Sequence, residues 1–297
     1  MILYGVVRLV GLLLHGLPLT AGYFIADRIA DTTFVFWRRG RANMIDNMAH
    51  VLGAGAPRAA AADLARRALR NYLRYLVDFL RSPWLTTEEL QRRMEFNRWE
   101  PFDQARADEK GTIFVGMHMG NWDFGAALIA LRGYHINVVA DSFSNRRLNE
   151  FVLGNRRRLG LSPIPREQAA RRVLAVLRRN EGIAILMDRP VPAAEGVTID
   201  FFGSPTAVPA GAAALALKTG ARIVPAGMIR TEGHRFRGIA GDCIEYLPTG
   251  DQQTDVRLLT QHLMDVLGGW VREYPDQWFM FRRMWPEPLP SSRRPGT

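Results

Sequence analysis

Apolar residues recur at helical spacing between residues 58 and 81. At 100° per residue, Ala65, Leu69, Tyr72, Leu73, Leu76, Phe79 and Leu80 share one face, while Arg67, Arg70, Arg74 and Arg81 share the other with Asp63 and Asp78 among them. Pro57 suits the start of this helix and Ser82-Pro83 ends it. A basic amphipathic helix of this kind either lies on a membrane surface or packs on a core with its polar face solvated. From residue 111 the pattern changes. Short apolar runs at 111–116, 136–140, 183–187 and 222–227 alternate with helical stretches at 121–131, 145–159, 167–180 and 209–219, and a last helix is expected over 255–273. Strands separated by helices of about three turns predict an α/β fold with a mostly parallel sheet flanked by helices. With no internal repeat and no low-complexity linker, the chain divides into an N-terminal helical region (1–95), an α/β domain (96–285) and a Pro- and Ser-rich flexible tail (286–297).

Residues 9–26 contain no Asp, Glu, Lys or Arg, which meets the minimum length of a spanning helix. Gly11, Gly16, Pro18 and Gly22 interrupt the run, and Pro18 breaks or kinks a helix. The expectation is a membrane-embedded or membrane-surface segment, with a core helix and a cleaved signal as the alternatives. Composition adds two constraints. Cys243 is the single cysteine, which excludes an internal disulfide scaffold and a cysteine-rich zinc site. The net charge is +10, and all but two of the basic residues, Lys110 and Lys218, are arginines. Such a balance points to an anionic partner. The excess is local: residues 146–179 hold ten arginines against Glu150 and Glu167.

The segment V-G-M-H-M-G-N-W-D carries the chemistry. His118 directly follows the 111–116 strand, and ligands of open α/β sheets bind at the carboxyl ends of strands. Asp123 lies five residues on, where a turn through Gly120 is expected to bring it to the imidazole. A carboxylate on Nδ1–H leaves Nε2 as a proton acceptor, the working pair of a general base. A structural His–Asp hydrogen bond is the competing reading. No second His or Cys stands at ligand spacing, so no metal is expected, and there is no G-x-S-x-G nucleophile.

H-M-G-N-W-D resembles the H-x4-D motif of glycerolipid and glycolipid acyltransferases. Its longer form is similar to the branch containing the lipid A late acyltransferases and the phosphatidylinositol mannoside acyltransferases. A second block supports this: Asp200-Phe201-Phe202-Gly203, then Pro209-Ala210-Gly211, Leu215-Ala216 and Thr219 through Pro225 resemble F-F-G…P-x-G-x-x-x-L-A-x-x-T-G-A-x-I-x-P. Arg39 with Asn43-Met44 is a weaker third match to an R-x3-N-L-like segment. The resemblance spans roughly residues 1 to 285.

The resemblance implies an acyltransferase in which His118 deprotonates an acceptor hydroxyl and Asp123 orients the imidazole. The hydroxyl belongs to a glycolipid, lipid A-like or phosphatidylinositol mannoside-like. The acyl donor is a thioester of coenzyme A or acyl carrier protein, and no resident cofactor is implied. Backbone N–H groups of Gly120 and Asn121 are expected to offer an oxyanion site. Asp188-Arg189, just after the third strand, occupies a place where the family often carries an acidic or acidic-arginine pair, and is a substrate-site candidate against a turn-capping role. The family's Arg after the second strand is replaced here by Asp141-Ser142, which leaves Arg146 and Arg147 as the nearest contacts for an acceptor phosphate or sugar. The arginine cluster suits anionic lipid headgroups, an acidic carrier protein or coenzyme A phosphates. No nucleic-acid-binding signature accompanies it. The expected location is the cytosolic face of the inner membrane, peripheral or anchored by the N-terminal segment. Two other readings stand: a lysophospholipid or glycerol-phosphate acyltransferase, and a non-catalytic lipid- or nucleic-acid-binding protein.

Overall fold

The computed structural model describes residues 2–286. Its centre is β2 (Thr112–Gly116), buried along its whole length between β5 (Gly182–Leu186) and β8 (Arg222–Arg230), both parallel to it. β3 (Ile136–Ala140) and β4 (Leu161–Pro165) extend the sheet beyond β5. β9 (Phe236–Ala240) and the short β1 (Met94–Glu95) extend it beyond β8. The order is β1-β9-β8-β2-β5-β3-β4, and the β8–β9 pair alone is antiparallel. Parallel neighbours need crossovers. Here α7 (Trp122–Leu131), α8 (Arg146–Arg158) and α9 (Ala169–Arg178) supply three of them, and α10 (Gly211–Thr219) leads into β8. Side chains alternate across β2. Ile113 and Val115 face a core shared with α9, α10 and α11 (Gln252–Glu273), while Phe114 faces α7 and α6 (Glu100–Ala107).

The expected α/β pattern forms as read, and the unread strands have physical reasons. β4 carries Pro163 and Pro165, which argue against a strand, but it is the sheet edge, where a missing N–H costs little. β6 (Val197–Phe201) and β7 (Ser204–Val208) form a separate hairpin. Its turn is Phe202-Gly203, both at positive φ (54° and 76°), with Asp200 Oδ1 accepting from Gly203 N at 3.0 Å. The F-F-G block is therefore a hairpin turn, packed through Phe201 on Trp278 and Trp285.

The N-terminal run is two helices. α1 (Ile2–Gly16) ends before Pro18 and α2 (Leu19–Phe36) begins after it. No helix among the described residues is long and apolar enough to cross a membrane. α3 (Arg38–Leu52) and α4 (Arg58–Arg81) follow. The basic face of α4 is partly covered: Arg70 forks onto Asp31 (2.8 and 2.5 Å) and Arg74 onto Asp27 (2.8 and 2.6 Å), both on α2, while Arg67 stays exposed. These helices share one core with the sheet, with Met44, Met48, Ala65 and Leu69 in the same cluster as Val115 and Trp278. Asn43 and Asn47 donate to the main chain of Met280, Phe281 and Arg282, so the Asn43-Met44 segment clamps the C-terminal strap. Of the expected tail, residues 287–297 lie outside the described residues.

Candidate active site

His118 emerges from the end of β2 in a loop fastened at several points. Gly120 N donates to Gln277 O (2.9 Å), Asn121 N to Met228 O (2.9 Å), and Phe279 N to His118 O (2.8 Å). Gly120 has φ of 57°, and a Cβ there would stand 1.8 Å from Met228 O, so only glycine closes this turn. The parallel register of β2 with β5 pairs Gly116 with Leu186 and brings Asp188 alongside the histidine. Asp188 is fully buried. Its Oδ1 stands 2.7 Å from His118 Nδ1, and its Oδ2 accepts from His118 N (3.0 Å) and Trp278 Nε1 (2.8 Å). Burial alone would push this carboxyl up. The charge of the adjacent imidazole and the three hydrogen bonds outweigh burial and hold it below the usual carboxylate range. An ionised carboxylate only accepts, so Nδ1 carries a proton and Nε2 is the ring nitrogen left free of Asp188. Nε2 has no hydrogen-bond partner among the described residues, and the side chain is 15% exposed.

The expected pairing of Asp123 with His118 is corrected by this geometry. Asp123, in the first turn of α7, points away from the loop toward α4 and α8. Its Oδ1 accepts from Arg156 Nε (2.8 Å) and its Oδ2 from Tyr75 Oη (2.8 Å). Burial would lower the Arg156 pKa, but the Asp123 charge and hydrogen bond raise it. Burial, first, and Asp123 hold the Tyr75 hydroxyl well above its ordinary value. Asp123 thus pins three helices while Asp188 orients the imidazole. Five-residue spacing favoured the local carboxylate; strand register delivers one 70 residues away.

Gly120 and Asn121 are also corrected as oxyanion donors, because both backbone N–H groups are consumed in closing the loop. Asn121 is buried and caps α7, its Oδ1 accepting from Phe124 N at 3.0 Å, while its Nδ2 is buried without a partner among the described residues.

Beside His118 lies a narrow apolar slot between the sheet and α7. Gly116, Met117, Met119 and Trp122 line its His118 end, and Gly125, Ala126, Ala184 and Gly227 leave room along it. Trp122 meets the imidazole edge-on at 5.4 Å and is backed by Tyr75 at 4.1 Å. The other predicted residues fall into two groups. Arg189 pairs with Asp141, which also receives Arg166 at 3.2 Å. Arg146 and Arg147 are exposed and line a separate groove between α1 and α8 with Arg8, Arg158, Tyr4 and Phe151. Sequence reasoning missed Trp278 and Tyr75 as supports of the site, and placed Arg156 only in a general basic patch. None carries a local signal, since each reaches the site through tertiary packing.

Residues 2–287 match the family described as "Bacterial lipid A biosynthesis acyltransferase". Among characterised proteins, the chain is 30% identical over 255 residues to the phosphatidylinositol mannoside acyltransferase of Mycobacterium tuberculosis, covering 84% of this chain and 78% of that one. It is 28% identical over 256 residues to the protein of the same name from Mycolicibacterium smegmatis, covering 84% and 80%.

Proposed function

The chain belongs to the bacterial lipid A biosynthesis acyltransferase family, and from that membership we propose that His118 is the general base by which it moves a fatty acyl chain from a thioester to a glycolipid hydroxyl. That the protein is an acyltransferase of glycolipid biosynthesis rests on the family and on the relatives. The acceptor we infer is a phosphatidylinositol mannoside-like lipid, from the names of those relatives. The observation that carries the mechanism is the His118–Asp188 pair at the end of an apolar slot.

The donor's alkyl chain occupies the slot with its thioester carbonyl at the ring. His118 Nε2 takes the proton of the acceptor hydroxyl as that oxygen attacks the carbonyl carbon. Asp188 accepts from Nδ1–H throughout and balances the imidazolium that forms. When the tetrahedral intermediate collapses, the carbon–sulfur bond breaks. The imidazolium returns its proton to the leaving thiolate, so ester and free thiol leave and the neutral histidine is restored. No acyl-enzyme and no metal take part. The donor is an acyl thioester of coenzyme A or acyl carrier protein, drawn by the arginines of α8 and α9. Asp123 supports the site by holding α7 to α4 and α8 through Tyr75 and Arg156.

The enzyme works as a peripheral protein on the cytosolic face of the inner membrane. Leu3, Val6, Leu9 and Leu13 of α1 and Phe24, Ile25, Ile29 and Phe36 of α2 are exposed, an apolar surface of the kind that meets a partner or a membrane. The neighbouring groove lined by Arg8, Arg146, Arg147 and Arg158 suits the phosphates of anionic lipids. Arg189, three residues beyond β5 and paired with Asp141, is the residue we assign to the acceptor headgroup.

The test is thiol release from long-chain acyl thioesters with a mannosylated phosphatidylinositol acceptor, the product identified by mass spectrometry. Wild type is expected to turn over and His118→Ala to lose at least about 10²-fold. Equal turnover by His118→Ala removes the base. Acylation of a lysophospholipid in place of the glycolipid changes the acceptor.

A further inference from the structure

The slot at His118 has a far end, and its walls give it a direction. β2 runs toward His118 and α7 runs back from it, so depth increases from Trp122 through Ala126 to Ile129, about 10 Å along the helix. At that depth the lining becomes aromatic. Phe114 stacks on Phe102 at 5.2 Å, Phe102 meets Phe96 and Trp99 edge-on at 5.4 Å each, and Phe96 meets Trp99 at 4.5 Å. Phe96 is seated on the bare backbone of Gly238, where a Cβ would stand 2.6 Å from its ring. Trp99 differs from Phe102 in being only half-buried, and it is braced from outside: the Arg132 guanidinium stands 5.2 Å over its ring and 3.5 Å from Asp103. Trp99 is thus the ring between the slot and solvent.

We propose that Phe96, Phe102 and above all Trp99 form the stop that sets the longest acyl chain this enzyme accepts. The inference rests on the acyl-transfer reading above and deepens it. A chain whose thioester is fixed at His118 runs between the sheet and α7 and ends its methyl group against the Trp99 indole. A longer chain must displace rings that lock one another edge-to-face and are held from the solvent side by an ion-paired arginine. Within the limit, each methylene gained is worth about fourfold in binding. Beyond it, the gain stops.

The experiment uses the full chain and two readouts. One is product composition from an equimolar series of acyl thioesters of increasing length. The other, independent of turnover, is the rise in melting temperature with free fatty acids of the same lengths. Trp99→Ala is expected to move both limits to longer chains, changing the ratio of adjacent lengths by at least about fourfold, and Trp99→Phe to move them less. Ala126→Leu, which fills the slot midway, is expected to shorten both. A folded Trp99→Ala with wild-type limits in both readouts overturns the stop, and so does Ala126→Leu with unchanged limits. Absence of acyl transfer by wild type, with fatty-acid stabilisation still cut off at a length that Trp99→Ala extends, leaves the stop standing and refutes the acyl-transfer reading instead.

Discussion

Asp188 and Asp123 are both buried carboxylates near the same loop, and their partners separate their roles. Asp188 holds an imidazole and accepts three hydrogen bonds; Asp123 holds a guanidinium and a phenol. Asp188→Asn is therefore expected to keep the ring in place but lose the anion that balances the imidazolium. The kcat of the folded variant should fall about 10²–10⁴-fold with little change in KM. Asp123→Ala leaves the partly buried Arg156 unpaired, so it is expected to cost up to about 3 kcal/mol of stability, read by denaturant unfolding. Its activity loss should follow the folded fraction. If Asp123→Ala instead stays folded and inactive while Asp188→Asn is active, the two roles are exchanged.

Among the elements, the loop after β2 and the contacts of α4 carry the most constraint. Gly120 is required by both its positive φ and the approach of Met228 O. Gly120→Ala is expected to lower the melting temperature and activity together, because His118 cannot keep its place once the loop shifts. α4 delivers Asp78 to a buried cluster in which Tyr23, Arg93 and Arg230 donate to it at 2.6, 2.8 and 2.5 Å. This joins α2, α4, β8 and α5 (Thr87–Arg93). Burial raises the Asp78 pKa, but Arg230, Arg93 and Tyr23 outweigh it and lower it overall. The sign follows: a carboxyl whose folded pKa is depressed stabilises fully above its unfolded value, about 3.9, and that contribution is lost as pH falls through the lower folded value. Asp78→Asn is expected to destabilise at neutral pH by about 3–5 kcal/mol and to flatten the acid-unfolding curve in that window. An unchanged curve would mean the cluster is already broken in solution.

For the whole molecule, the decisive property is the arrangement of apolar surface. The slot lies beside His118, while the exposed side chains of α1 and α2 form a second apolar region beside the arginine groove. The double substitution Leu9→Glu with Leu13→Glu is expected to weaken sedimentation with anionic vesicles and to leave the melting temperature near wild type, since both side chains are exposed. Raising the salt should weaken wild-type binding as well, because arginine–phosphate attraction is screened. Binding to neutral and anionic vesicles alike, insensitive to salt, would remove the groove from the account.

The α/β class, the buried central strand, the helix of residues 58–81 and the histidine at a strand end are legible before any folding, because each is written in local periodicity or in contiguous motifs. The family is legible too, through H-M-G-N-W-D and the F-F-G block. Long-range packing alone sets which carboxylate meets His118, the pairing of Arg70 and Arg74 with Asp31 and Asp27, the F-F-G block as a turn, and the apolar slot beside His118. The reason is physical. Periodicity reports which face of an element is buried, whereas a pairing such as His118 with Asp188 depends on strand register, and a cavity depends on what several distant segments leave unfilled.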